Sequence, residues 1–110
     1  MSVDNLTDPL PLAMALMREP SLTPHAVGCF DLISEWLGGL GFTVERRVFE
    51  GDGGEPTENL YARRGAASPN ICFAGHIDVV PPGDETRWRS PPFAPEIRDG
   101  VLYGRGAADM

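Results

Sequence analysis

At 110 residues the chain is long enough for one small domain and too short for two. Apolar residues make up 42% and charged residues 23%, the balance of an ordinary globular protein. The net charge of −7 excludes the basic surface that a backbone-tracking nucleic-acid binder needs.

The opening MSVDNLTDPLPL has no basic segment and does not read as a secretory signal. No apolar stretch approaches the roughly 20 residues of a membrane helix. The expectation is therefore a soluble, cytoplasmic protein that binds neither nucleic acid nor membrane. In chain order, Asp8 offers a helix cap with Pro9 at the first helical position, and Leu10, Ala13, Met14 and Met17 recur at helical spacing until Pro20. Thr23-Pro24 repeats the start signal. A second helix over 24–38 puts Val27, Phe30, Ile33, Trp36 and Leu37 on one broad face and stops at Gly38, Gly39 and Gly41. His25, alone at its start, reads as a surface residue.

Residues 42–49 alternate at strand period, with Phe42, Val44, Arg46 and Val48 on one side. An acidic, Gly-rich loop over 50–58 leads to a second strand over 59–63. The pairs Arg46-Arg47 and Arg63-Arg64 read as solvated strand edges. After a turn over 65–69, the apolar run Ile71-Cys72-Phe73-Ala74 predicts a short, buried central strand, with Cys72 as a small buried hydrophobe. Cys29 falls in the second helix, and no CxxC pair exists. Residues 80–95 are Pro-rich and irregular, with Trp88 and Phe93 as expected anchors; a loop of that length is usually functional or disordered, and two aromatics argue against disorder. Asp99-Gly100 between two apolar runs predicts a tight hairpin. The element order gives an α/β fold with a mixed β-sheet flanked by helices.

Two short motifs carry chemistry. In Gly75-His76-Ile77-Asp78, strand period puts His76 and Asp78 on one face and Ile77 on the other. A neutral imidazole there can bind a cation while the carboxylate orients it from behind. On its own the triplet is equally a His–Asp pair made for local hydrogen bonding. In Gly104-Arg105-Gly106-Ala107-Ala108-Asp109 the small residues allow close backbone approach, and the terminal carboxylate could bridge two metals. A Gly-rich turn with a capping Asp would explain that segment as well.

Together the motifs are far more specific. The run GHIDVVPPGDETRWRSPPFAPEIRDGVLYGRGAADM resembles the metal-binding core of the di-zinc deacylases and exopeptidases, the family that includes acetylornithine deacetylase and aminoacylase, and within it the succinyl-diaminopimelate desuccinylase branch. DPLPLAMALMREPSLTP is similar to that family's opening helix and turn, and Glu58-Asn59-Leu60-Tyr61-Ala62-Arg63 to its Asn-Leu strand. The resemblance implies that residues 1–110 are the N-terminal part of a metal-binding catalytic domain. It implies that His76 binds one zinc, that Asp109 bridges two, and that Asp78 is the catalytic-site carboxylate behind His76. It further implies a small succinylated amino-acid substrate, zinc with cobalt as an alternative metal, and a homodimer for the complete protein. The usual Thr between His and Asp is Ile77 here, expected to point away from the metal. In the family the general-base glutamate, the remaining ligands and a dimerisation domain follow Met110. These residues alone are therefore expected to be inactive, and to fold poorly or associate. Acetylornithine deacetylase activity and a non-catalytic binding module are the alternatives.

Overall fold

A computed structural model describes residues 7–110. The reading of the extreme N-terminus as no signal rests mainly on residues 1–6 and lies outside the described residues. The chain is α/β, as expected, with two helices, four short strands and one 3-10 turn among the described residues.

Helix α1, Pro9–Arg18, begins where the sequence signals it. The Asp8 carboxylate accepts from the Leu10 amide at 3.0 Å, and Pro9 occupies a position whose N–H has no helical partner. Its buried face holds Leu12 and Met17, while Leu10 stays exposed. Helix α2, Val27–Gly39, starts later than Thr23-Pro24 suggested and has no side-chain cap. Thr23 has another task, since its amide donates to the Val79 carbonyl. Cys29 and Phe30 form the buried face of α2, and Val27 faces solvent. The small core joins Ala26, Cys29 and Phe30 with the partly buried Leu16, Leu60 and Ile77. Burial pushes the Cys29 thiol pKa up. Both cysteines are free.

Strands β1, Thr43–Phe49, and β2, Thr57–Arg63, pair antiparallel with Arg46 opposite Leu60 and Val44 opposite Ala62. Alternation turns Glu58, Leu60 and Ala62 inward on β2. Arg46 is exposed, as its sequence suggested, but it is held by ion pairs. Its guanidinium joins Asp31 of α2 and donates to Glu58 at 2.6 Å, 5.6 Å from the centre of the Phe30 ring. Two carboxylates hold it firmly in the charged form, and the hydrogen bonds to Glu58 and then Asp31 raise its pKa. His25 stays on the surface, 3.3 Å from Glu55.

Strands β3, Glu96–Arg98, and β4, Val101–Tyr103, form the expected hairpin. Asp99 and Gly100 both have positive φ, 51° and 78°, which suits the natural twist of a two-residue turn. The preceding loop is ordered by its own contacts. Trp88 Nε1 donates to the Pro82 carbonyl at 3.1 Å, Arg105 lies 5.2 Å from the Trp88 ring, and Arg98 donates to the buried Ser90 at 2.9 Å.

The strands form two separate antiparallel pairs rather than one mixed sheet. Residues 71–74 are the chief departure. They are not in a strand; Ile71 is 79% and Phe73 94% exposed, and Cys72 is exposed rather than buried. A run of apolar residues is buried only where a second surface meets it, and among the described residues no strand pairs with this ribbon.

Candidate metal centre

The ribbon that continues from residues 71–74 carries the first half of the site. Ile77 packs against the Ala26–Cys29–Phe30 cluster. His76 and Asp78 lie beside one another, although residues 76–78 are not in the strand the sequence suggested. His76 Nδ1 is 2.9 Å from the Asp78 backbone carbonyl and 3.4 Å from Asp78 Oδ1. The carbonyl, not the carboxylate, is the nearer acceptor. Sequence reading assigned orientation to the side chain; a backbone oxygen leaves no residue-type signal.

With Nδ1–H donating to that carbonyl, Nε2 carries the lone pair of the neutral ring. Nε2 lies 3.1 Å from Asp109 Oδ1, which belongs to a segment 33 residues further along the chain. In the protonated ring Nε2–H also donates to Asp109, and the hydrogen bond to the Asp78 carbonyl, and after it the one to Asp109, raises the His76 pKa. A cation would compete with a proton for the same nitrogen.

Asp109 reaches this position from the glycine-rich turn after β4. Ala107 N donates to the Gly104 carbonyl at 3.2 Å, and Arg105 N to the Pro92 carbonyl at 2.8 Å. Gly106 has φ 85°, and a Cβ there would lie 3.1 Å from Val79 Cγ1. A Cβ on Gly104 would lie 2.4 Å from Met17 Cε. The small residues do permit close approach, but what they approach is this chain's own α1 and His-bearing ribbon.

The donor set suits a borderline-soft divalent cation in kind: one imidazole nitrogen and one carboxylate, both accessible and converging. In number it falls short of the three or four protein donors usual for zinc, and no group of three or more His, Cys, Asp or Glu side chains gathers among the described residues. An open cavity of about 380 Å³ lies on one side of the ribbon, lined by Thr23, Phe30, Asn59, Leu60, His76 and Asp78 among others. A more apolar one of about 300 Å³ also touches His76 and Ile77 and is lined by residues of α1 and the glycine-rich turn.

Residues 72–110, which hold both halves of this centre, match the model of Peptidase family M20/M25/M40. The likeness extends over nearly the whole chain to particular enzymes. The chain is 58% identical over 107 residues to the succinyl-diaminopimelate desuccinylase of Maricaulis maris, covering 97% of this chain and 26% of that protein. It is 56% identical over 99 residues to the succinyl-diaminopimelate desuccinylase of Xanthobacter autotrophicus, covering 90% of this chain and 26% of that one. The enzyme of the same name from Caulobacter vibrioides is 56% identical over 103 residues, covering 94% and 25%. The chain thus spans about a quarter of the length of the curated relatives it matches. The resemblance read from the motifs is shown by these matches. No helix among the described residues is long and apolar enough to cross a membrane.

Proposed function

We propose that residues 1–110 are the N-terminal part of the metal-binding domain of an amide hydrolase that cleaves N-succinyl-LL-2,6-diaminopimelate to succinate and LL-2,6-diaminopimelate. The single observation that supports this best is the meeting of His76 Nε2 and Asp109 Oδ1 at 3.1 Å, in the segment that matches the family model. In this reading His76 is a ligand to one metal, Asp109 bridges two, and the remaining ligands come from outside the described residues. The metals are zinc, with cobalt able to replace it, and the complete protein works as a cytoplasmic homodimer. When bound, the metals supply Lewis acidity and hydroxide at neutral pH.

The rest is done by the chain's own groups. The Asp78 carbonyl fixes His76 with its proton on Nδ1, leaving Nε2 as the donor. The Asp78 carboxylate, 3.4 Å from the same nitrogen, adds negative charge behind the ring and strengthens it as a ligand. Ile77 anchors the ribbon in the core.

The test is hydrolysis of N-succinyl-diaminopimelate by a full-length protein carrying these residues, before and after chelation. Succinate release that stops on metal removal and returns with zinc or cobalt is expected. Activity that survives complete metal removal sinks the metal role. Preference for N-acetylornithine would shift the reading to the deacetylase branch.

A further inference from the structure

We infer that residues 21–23, acting through Val79, are a positioning element for the metal centre, an inference that rests on the reading of His76 and Asp109 as ligands. The turn between α1 and α2 pairs in parallel with the His-bearing ribbon at Leu22 and Val79. The Thr23 amide donates to the Val79 carbonyl at 3.0 Å, and the Val79 amide donates to the Ser21 carbonyl at 2.8 Å. Ser21 and Val79 are both buried. This clamp is the one β-type pairing the ribbon makes among the described residues. A neighbouring anchor is the Ile77 side chain in the core. His76 therefore stands just before two anchors, one apolar and one made of two backbone hydrogen bonds.

Val79 also reaches the other half of the site. Its Cγ1 lies against Gly106, at the distance where an added Cβ would be crowded, and Gly106 precedes Asp109 by three positions in the same turn. One residue thus has its backbone fixed by residues 21–23 and its side chain set against the segment that delivers Asp109. A shift of that clamp moves His76 relative to Asp109. Supporting groups of this sort change metal affinity by roughly 10–100-fold when removed.

The experiment uses full-length protein carrying these residues and measures zinc affinity by chelator competition, with the cobalt absorption spectrum as a second readout of geometry. Both are taken well below each variant's melting temperature. Thr23→Pro removes the donating amide. It is expected to weaken zinc binding by roughly 10-fold or more and to alter the cobalt spectrum. Thr23→Val keeps the amide and should change both far less than Thr23→Pro does. Val79→Ala keeps the backbone clamp but frees Gly106, and should weaken binding less than Thr23→Pro does. A folded Thr23→Pro with wild-type affinity and spectrum overturns the inference. If that variant does not fold, Val79→Ala decides, and unchanged affinity and spectrum there overturn it. Wild-type protein that binds no metal overturns the site reading, and the inference with it. Two bound metals in the wild type with unaffected folded variants overturn the inference alone.

Discussion

The two halves of the chain are held by different means. Residues 7–63 are held by side chains: α1 and α2 pack a small apolar core, and Arg46 ties the β1–β2 hairpin to α2. Residues 64–110 have little regular structure and are held by backbone hydrogen bonds, glycine contacts and one stacked tryptophan. In the proposed function the first half is a scaffold and the second carries the chemistry. The Leu22–Val79 bridge, Ile77 in the core and Gly104 against Met17 are where they meet. Changes in the scaffold should therefore cost stability, and changes in the second half should cost metal binding first.

The largest contrast should come from the two ligands. In full-length protein, Asp109→Ala is expected to lose both metals and His76→Ala to leave one, as read by metal content after dialysis; two ions retained in Asp109→Ala contradict the bridging role. Removing a ligand should lower activity beyond the roughly 10–100-fold expected for a supporting group such as Asp78→Ala. On the scaffold side, Phe30→Ala empties much of a small core. A change of this kind costs about 3–5 kcal/mol, enough to unfold a marginal domain of this size. A clearly lowered melting temperature of full-length protein carrying these residues is the expected result, and a melting temperature within a few degrees of wild type would contradict the core assignment.

Thiol labelling compares the halves in one tube. Cys72 on the exposed ribbon should react within seconds to minutes with an aromatic disulfide. Cys29, buried and with a raised pKa, should wait for unfolding. Equal rates would mean that the core is open or the ribbon covered.

The smallest effect concerns Asp84, whose carboxylate accepts from the Thr86 hydroxyl and amide. Those bonds lower its pKa below 3.8. Its contribution is therefore complete above the ordinary carboxylate value and disappears as pH falls through the lowered one. Thr86→Val removes the hydroxyl and should return the Asp84 midpoint part of the way, as followed by carboxyl NMR. An unmoved midpoint would exclude the hydroxyl bond.

Much of the scaffold was legible because its signals are local. Asp8-Pro9 starts a helix through its own cap, Asp99-Gly100 makes its own turn, and the alternation of 42–49 needs only a neighbour of the same period. Residues 71–74 were misread because apolarity says that a segment wants burial, not that a partner surface is present. Arg46 was read correctly as exposed, but its ion pairs were not legible because Asp31 and Glu58 arrive from elsewhere in the chain. In the site, the closeness of His76 and Asp78 was legible from their spacing of two, but not through the strand expected there. The approach of Asp109 was not; it was implied by family resemblance and is reached through a turn fitted against Val79. The clamp by residues 21–23 is made of backbone atoms and has no residue-type signature.

The central claim is that His76 and Asp109 meet because they share a metal. The most direct measurement is anomalous diffraction at the zinc edge from crystals of the full-length protein. The expected result is a zinc about 2.0–2.1 Å from His76 Nε2 and about 2.0–2.2 Å from an Asp109 oxygen, with a second zinc on the other oxygen. Zinc bound elsewhere, with His76 still hydrogen-bonded directly to Asp109, would contradict it.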